Sequence, residues 1–214
     1  MKNLAIILIL AMLPTAAFAE STTETSHWSL EVKGGSFIPD IDNWTTYYDK
    51  RSASEYGGSL AYKLFRQLEV GIEGNVVTAR GQGFAPDHGS VAGHVTYKVY
   101  PLNVFVLARG VFSDNQFLIP YVGGGWTRMF YRAEVEDQSV ARGSVNGSHA
   151  RAGLQLLLDT LDPSAANNLY LDYGINHTYF FIEAEYTRAM ADTVSGGTVK
   201  LGGTSWLGGL RFEF

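Results

Sequence analysis

The sequence predicts an all-β fold, an eight-stranded antiparallel transmembrane β-barrel, on three observations. Apolar and polar residues alternate with period two in segments of about ten residues, separated by polar, Gly-containing links. Beyond residue 19 no stretch approaches the run of about eighteen apolar residues that a membrane-spanning helix needs. The apolar faces carry Tyr and Trp near the segment ends (Trp28, Tyr56, Tyr131, Tyr186 and Trp206), where the aromatic girdles of a membrane barrel lie.

The first nineteen residues differ from the rest. Lys2 gives a positive start, Leu4 to Leu13 is an unbroken apolar run, and Pro14 ends it. Ala17-Phe18-Ala19 places small residues where a signal peptidase reads, so residues 1–19 are expected to be a cleaved export signal and residues 20–214 the barrel domain. The apolar run spans about ten residues, half the length needed to cross a bilayer. Beyond position 19 the chain has 15 basic and 21 acidic residues, a balance that argues against a nucleic-acid partner. There is no cysteine, which excludes disulfides, thiolate metal sites and lipoprotein processing.

Eight segments follow in order. Trp28 to Pro39 sets Trp28, Leu30 and Val32 against Ser29, Glu31 and Lys33. Glu55 to Phe65 sets Tyr56, Leu60, Tyr62 and Leu64 against Ser59 and Lys63, and Leu68 to Thr78 sets Leu68, Val70, Ile72 and Val76 against Glu69, Glu73 and Asn75. In Val91 to Gly110, Val91, Val95, Tyr97 and Val99 oppose His94, Thr96 and Lys98, with a bulge or break expected at Pro101 because proline cannot donate to a ladder. Pro120 to Arg132 is the least regular, with Arg128 and Arg132 opposite in parity to Tyr121, Met129 and Tyr131. Ser148 to Thr160 sets five apolar residues, Ala150 to Leu158, against His149, Arg151, Gln155 and Asp159. Asn176 to Arg188 sets Phe180, Ile182, Ala184 and Tyr186 against His177, Tyr179, Glu183 and Glu185. Thr198 to Phe214 sets Trp206, Leu210, Phe212 and Phe214 against Ser205, Arg211 and Glu213.

An even strand count brings both ends to one side, the periplasmic side in barrels of this kind. Short periplasmic links are then expected at Arg66-Gln67 and Ser113 to Ile119, and longer external ones at Asp40 to Ser54, Ala79 to Ser90, Glu134 to Gly147 and Ala189 to Gly197. Leu161 to Gly174 is long yet periplasmic. Asp162 as cap, Pro163 at the first helical position and Gly174 as terminator predict a short helix or turn there.

The polar parity defines an expected interior network of Glu31, Lys33, Lys63, Glu69, Glu73, His94, Lys98, Arg128, Arg151, Glu183 and Glu185. Its carboxylates are expected to pair with Lys33, Lys63, Lys98, Arg128 and Arg151, since an unpaired buried charge is costly. Eight strands leave room for little more than side chains, so the network reads as a plug.

At the C-terminal segment, Trp206, Gly208, Leu210, Phe212 and the terminal Phe214 resemble the closing strand of Gram-negative outer-membrane proteins. The resemblance implies that Trp206, Leu210, Phe212 and Phe214 form an assembly signal read by the barrel-assembly machinery. In length, segment number and leader the chain is similar to the small barrels of the OmpA, OmpX and OmpW type. The stretches Leu161-Asp162-Pro163 and Gly174 to Tyr179 also resemble uncharacterised outer-membrane barrels of myxobacteria. Implied partners are outer-membrane lipid and lipopolysaccharide.

Some barrels of this size deacylate lipid A, using a His and a Ser two apart on one strand. Here His94-x-Thr96 and His177-x-Tyr179 lack the serine, and Ser148 and His149, being adjacent, point to opposite faces. His177, Glu183 and Glu185 span about 27 Å along a strand at about 3.3 Å per residue, too far for one ion. Gly123-Gly124-Gly125 lacks the lysine and helix of a phosphate loop and reads as a bend or close backbone approach. The expectation is therefore a barrel without enzymatic activity, cofactor or metal. Its role is structural, adhesive or ligand-contacting, through external links that hold Trp44, Tyr47, Tyr48, Asp49, Lys50 and Arg51. The alternative is a narrow passage for small or apolar solutes, as in the OmpW type.

Overall fold

The computed structural model describes residues 26–41, 44–48, 50–84, 91–113, 116–135, 141–192 and 198–214, with backbone alone at 46–47, 81–84, 91–95, 133–135, 141, 191–192 and 198–199. The expected signal and its cleavage site before Glu20 lie outside these residues, as does the His94 side chain. The elements are β1 (Trp28–Pro39), α1 (Trp44–Tyr48), β2 (Ala53–Phe65), β3 (Leu68–Phe84), β4 (Val91–Arg109), β5 (Leu118–Val135), β6 (Ala141–Leu157), α2 (Pro163–Tyr173), β7 (His177–Asp192), β8 (Thr198–Lys200) and β9 (Gly203–Glu213).

Every strand from β1 to β7 pairs antiparallel with the next. β9 pairs with β7 on one side and β1 on the other, which closes the sheet. The three residues of β8 pair with the tip of β7 and begin the eighth stave, which β9 continues. The fold is thus a closed eight-stave antiparallel barrel, in which ladder pairing runs right round the wall and leaves no open sheet edge. One end carries both termini of the wall, with Trp28 and Phe214 exchanging backbone hydrogen bonds at 2.9 and 3.0 Å. The links 66–67, 110–117 and 158–176 share this turn end. The opposite, loop end carries links 40–52, 85–90, 136–140 and 193–197.

The helix expected after Leu161 is α2. The Asp162 side chain accepts from the Ala165 N–H at 3.0 Å, Pro163 opens the helix, and Gly174 ends it at φ 69°, a left-handed conformation that costs glycine nothing. It buries none of its residues. Asp159 ties its return to the wall, accepting the Thr178 N–H at 3.0 Å and lying 2.8 Å from His177 Nδ1.

Three expectations need correcting. β4 does not break at Pro101. Its alternation runs without interruption from Tyr97 to Arg109, and Pro101 keeps its place opposite Met129 on β5 while the ladder to β3 skips two positions. The missing N–H is therefore a loss to one neighbour only. Three of the four external links, those after β3, β5 and β7, are also shorter than expected, because β3 to β7 run for 16 to 19 residues. A strand needs only about ten to cross the bilayer, so the wall rises beyond it at the loop end.

Parity on β4 and β5 is also inverted. Tyr97, Val99, Met129 and Tyr131 turn inward, and Lys98, Arg128 and Arg132 turn outward, the reverse of the expected assignment. The cause is a change in what fills the barrel. Toward the loop end the interior is apolar, packed by Phe37, Trp44, Ala53, Val77, Tyr97, Val99, Met129, Val145, Ala189 and Leu201, with Tyr131 partly buried against them. Hydrophobicity alone then points the wrong way. α1 caps this cluster: Trp44 is 4% exposed, stacks on Tyr48 at 3.9 Å and meets Tyr97 edge-on at 5.3 Å.

Candidate functional site: the barrel interior

Below the apolar cluster every stave sends a polar side chain to the axis. β1 supplies Glu31 and Lys33, whose inward parity follows from the outward Leu30 and Val32 on either side. β2 supplies Glu55, Ser59 and Lys63, and β3 supplies Glu69, Glu73 and Asn75. Asn103 and Arg109 come from β4, Tyr121 and Thr127 from β5, His149, Arg151 and Gln155 from β6. β7 gives Glu183, Glu185 and Thr187, and β9 gives Ser205, Arg211 and Glu213.

Two ionic centres result. Nearer the turn end, Arg211 is the hub. Its guanidinium contacts Glu69 at 2.5 and 2.6 Å, Glu31 at 2.9 Å and Glu213 at 3.1 Å. Arg109 bridges Glu69 at 3.0 Å and Glu213 at 2.5 Å, donates to Gln155 at 2.9 Å, and lies 5.2 Å over the Tyr179 ring. Lys63 adds a third cation to Glu213. In the second centre Glu73 sits between Lys33 at 2.5 Å and Arg151 at 2.6 Å. Lys33 also reaches Glu183 at 3.1 Å, and Arg151 reaches Glu185 at 2.8 Å while its guanidinium lies 4.7 Å over Phe105. Tyr121 donates to Glu183 at 3.1 Å.

Among the described residues seven inward carboxylates (Glu31, Glu55, Glu69, Glu73, Glu183, Glu185, Glu213) face five inward cations (Lys33, Lys63, Arg109, Arg151, Arg211). Neutral donors take up the difference. Glu55 accepts from Ser205 at 2.6 Å and Asn75 at 2.9 Å, and Glu185 accepts from Asn103 at 3.3 Å and Thr187 at 3.2 Å. A Thr127 hydroxyl, donating to Asn103 at 2.8 Å and 2.9 Å from His149 Nδ1, extends the chain of bonds to β6.

Of the residues expected inside, Glu31, Lys33, Lys63, Glu69, Glu73, Arg151, Glu183 and Glu185 meet in these centres. Lys98 and Arg128 do not. Lys98 lies on the outer face between the inward Tyr97 and Val99, and Arg128 stands outside over Phe130, 5.6 Å from its ring. Arg109 and Arg211 take their place as cations. The parity of Arg211 was legible beside Leu210 and Phe212. Arg109 lay beyond Pro101, where the expected break hid its alternation. Ser148 faces out and His149 in, as two adjacent strand residues must. Among the described residues no three His, Asp or Glu side chains converge as metal donors.

Packing makes room for the network at glycines. A Cβ on Gly57 would lie 1.8 Å from Asn75 Oδ1, so only glycine lets Asn75 reach Glu55. In the Gly123-Gly124-Gly125 run, Cβ atoms at 123 and 125 would meet the carbonyls of Val106 and Val104 at 2.7 and 1.9 Å, a close approach of β5 to β4.

The outer wall is apolar over the middle of the staves, with Leu30, Val32, Leu60, Ile72, Val104, Val106, Val122 and Ile182 exposed. Trp28, Tyr56, Tyr186 and Trp206 are exposed aromatics of the same face, whereas Tyr131 packs inward. Trp206, Leu210 and Phe214 also point outward, and Phe212 shares their parity. Charge on such a face costs about 2–4 kcal/mol at mid-membrane and about 0–1 near the interface.

No protein family matches the chain, and no curated protein does. Among solved structures it is similar to Neisserial surface protein A, at 10% identity and a TM-score of 0.55, over 90% of this chain and 100% of that one. It is similar also to outer membrane protein OprG from Pseudomonas aeruginosa, at 13% identity and a TM-score of 0.55, over 89% of this chain and 97% of that one. The N-terminal β-barrel domain of Pseudomonas aeruginosa OprF gives 13% identity and a TM-score of 0.52, over 89% and 98%. At these identities the likeness is one of fold, and the fold is that of the small eight-stranded outer-membrane barrels.

Proposed function

We propose that this chain is a non-enzymatic barrel of the Gram-negative outer membrane, with its turn end in the periplasm and its loop end outside. It serves envelope structure and surface contact, and it does not conduct solutes. The observation that carries this reading is the filled lumen. Lys33, Glu69, Glu73, Arg151 and Arg211 have side chains no more than 1% exposed, and the apolar cluster under α1 lies above them. A solute would have to break several buried ion pairs at once, each costly to leave unpaired. The loop end, where Trp44 and Tyr48 close the apolar cluster, is the surface offered to lipopolysaccharide or an external ligand. Outward Trp206, Leu210, Phe212 and Phe214 serve as the contact for the barrel-assembly machinery.

Three measurements test this. Refolded protein should migrate differently on gels before and after boiling, and equal migration would sink the membrane barrel. Planar-bilayer recordings should be flat, and steps of conductance would favour the solute passage instead. Lipid A from cells with and without the protein should have the same mass spectrum, and a changed acyl pattern would make it an enzyme.

A further inference from the structure

Among the described residues the four most exposed large apolar side chains are not on the wall. Phe112, Leu161, Leu171 and Tyr173, each at least 69% exposed, lie on the turn-end links, and three of them belong to α2 or its approach. Apolar exposure of this extent marks a surface that meets a membrane or a partner. α2 is also divided along its length. Its first half, Ser164 to Asn168, is small or polar, and its second, Leu169 to Tyr173, is apolar apart from Asp172.

The apolar half ends beside the outer face of the barrel. Leu30 and Phe212 stand opposite each other in the β1–β9 ladder, two residues in from Trp28 and Phe214, where the wall ends. Tyr173 lines one groove of about 280 Å³ with both of them, together with Ile175 and Phe214. α2 thus finishes alongside the wall and not beyond its end. The groove continues the outward face of Leu30, Val32 and Leu210, the face that meets lipid. Charge decides which part of a lipid is met there. From Asp159 to Asn176 the chain carries three carboxylates, Asp159, Asp162 and Asp172, and no Lys or Arg. This segment offers an anionic headgroup no cation, so the contact is with acyl chains.

We propose that the C-terminal half of α2 is inserted in the periplasmic leaflet of the outer membrane, with an acyl chain of a zwitterionic glycerophospholipid in the groove that Tyr173 lines. Leu171 and Tyr173 sit at the boundary between headgroups and chains, while Asn167 and Asn168 stay in water. Burial of apolar area holds a helix at that depth, and tyrosine suits the headgroup level. The inference rests on the membrane placement proposed above, with the turn end periplasmic.

The chain has no cysteine, so single cysteines can carry an environment-sensitive fluorophore at one position each. L171C, Y173C, N167C and, on the middle of the wall, V104C are made in the full chain and refolded into phosphatidylcholine nanodiscs. Heat-modifiable migration reports the fold of each. The labels of L171C and Y173C should be quenched by lipid brominated on its acyl chains, and severalfold less by aqueous iodide than that of N167C. Added phosphatidylglycerol should leave these ratios unchanged. Leu171 is 70% exposed, so L171C carries the test even where Y173C disturbs the groove. A folded L171C as open to iodide as N167C, beside a V104C that brominated lipid quenches, overturns the insertion of α2 and leaves the membrane barrel standing. An unquenched V104C sinks the membrane placement, and this inference with it. Protection that appears only with phosphatidylglycerol overturns the acyl contact in favour of headgroup binding.

Discussion

Arg211 and Glu69 stand 142 residues apart in the chain and meet on the barrel axis through two hydrogen bonds of 2.5 and 2.6 Å. The same guanidinium also holds Glu31 and Glu213. Replacing it by methionine leaves three buried carboxylates short of a partner. R211M should therefore destabilise the refolded protein by about 3–5 kcal/mol, read as a fall in the urea midpoint. The double variant R211M/E69M should recover part of that loss, because one of the orphaned carboxylates goes with it.

Glu55 behaves differently. Its two contacts are a hydroxyl and an amide, from Ser205 and Asn75, and Asn75 Oδ1 is buried without a hydrogen-bond partner. E55Q keeps an acceptor oxygen for one of these donors and removes the buried charge. Its stability should equal or exceed the wild type at neutral pH, whereas E69Q, which removes a charge between two arginines, should lose stability under the same denaturation.

Gly57 and Gly74 lie across the β2–β3 pair one register position apart, yet an added methyl group should tell them apart. At Gly57 it would strike Asn75 Oδ1 and the Gly74 carbonyl, at 1.8 and 2.6 Å; at Gly74 nothing lies within 4 Å. G57A should cost about 1–3 kcal/mol and G74A far less, measured on the same urea curve.

Trp44 contributes its ring and not its N–H, since Nε1 is buried without a partner. W44A should cost about 3–5 kcal/mol by leaving a cavity under α1, whereas W44F should be much milder. Near-ultraviolet circular dichroism should show loss of the Trp44–Tyr48 stack in both.

How much of this was legible in the sequence follows from what sets parity. Where lipid meets one face and charge the other, as at Leu30 to Lys33 or Ile72 to Asn75, alternation gives the inward residues directly. Near the loop end both faces change character: Tyr97 and Met129 fill the interior while Lys98 and Arg128 stand outside. A rule that sends the apolar residue to lipid then inverts. The partners of each charge were beyond reach for another reason. Glu69 and Arg211 lie on staves three apart, and which levels coincide depends on the stagger of the closed wall. Alternation within one strand carries no information on that stagger.

The seam between β1 and β9 also decides when the charges on the axis find their partners. Glu31 and Glu69 wait on strands made early, and Arg211, which contacts both, arrives on the last stave. Staves threaded singly into hydrocarbon would carry those carboxylates without that partner. A curled but open sheet, held at the water boundary until β9 docks, avoids this. Closure of the wall by its last stave is thus what completes the charge pairing on the axis.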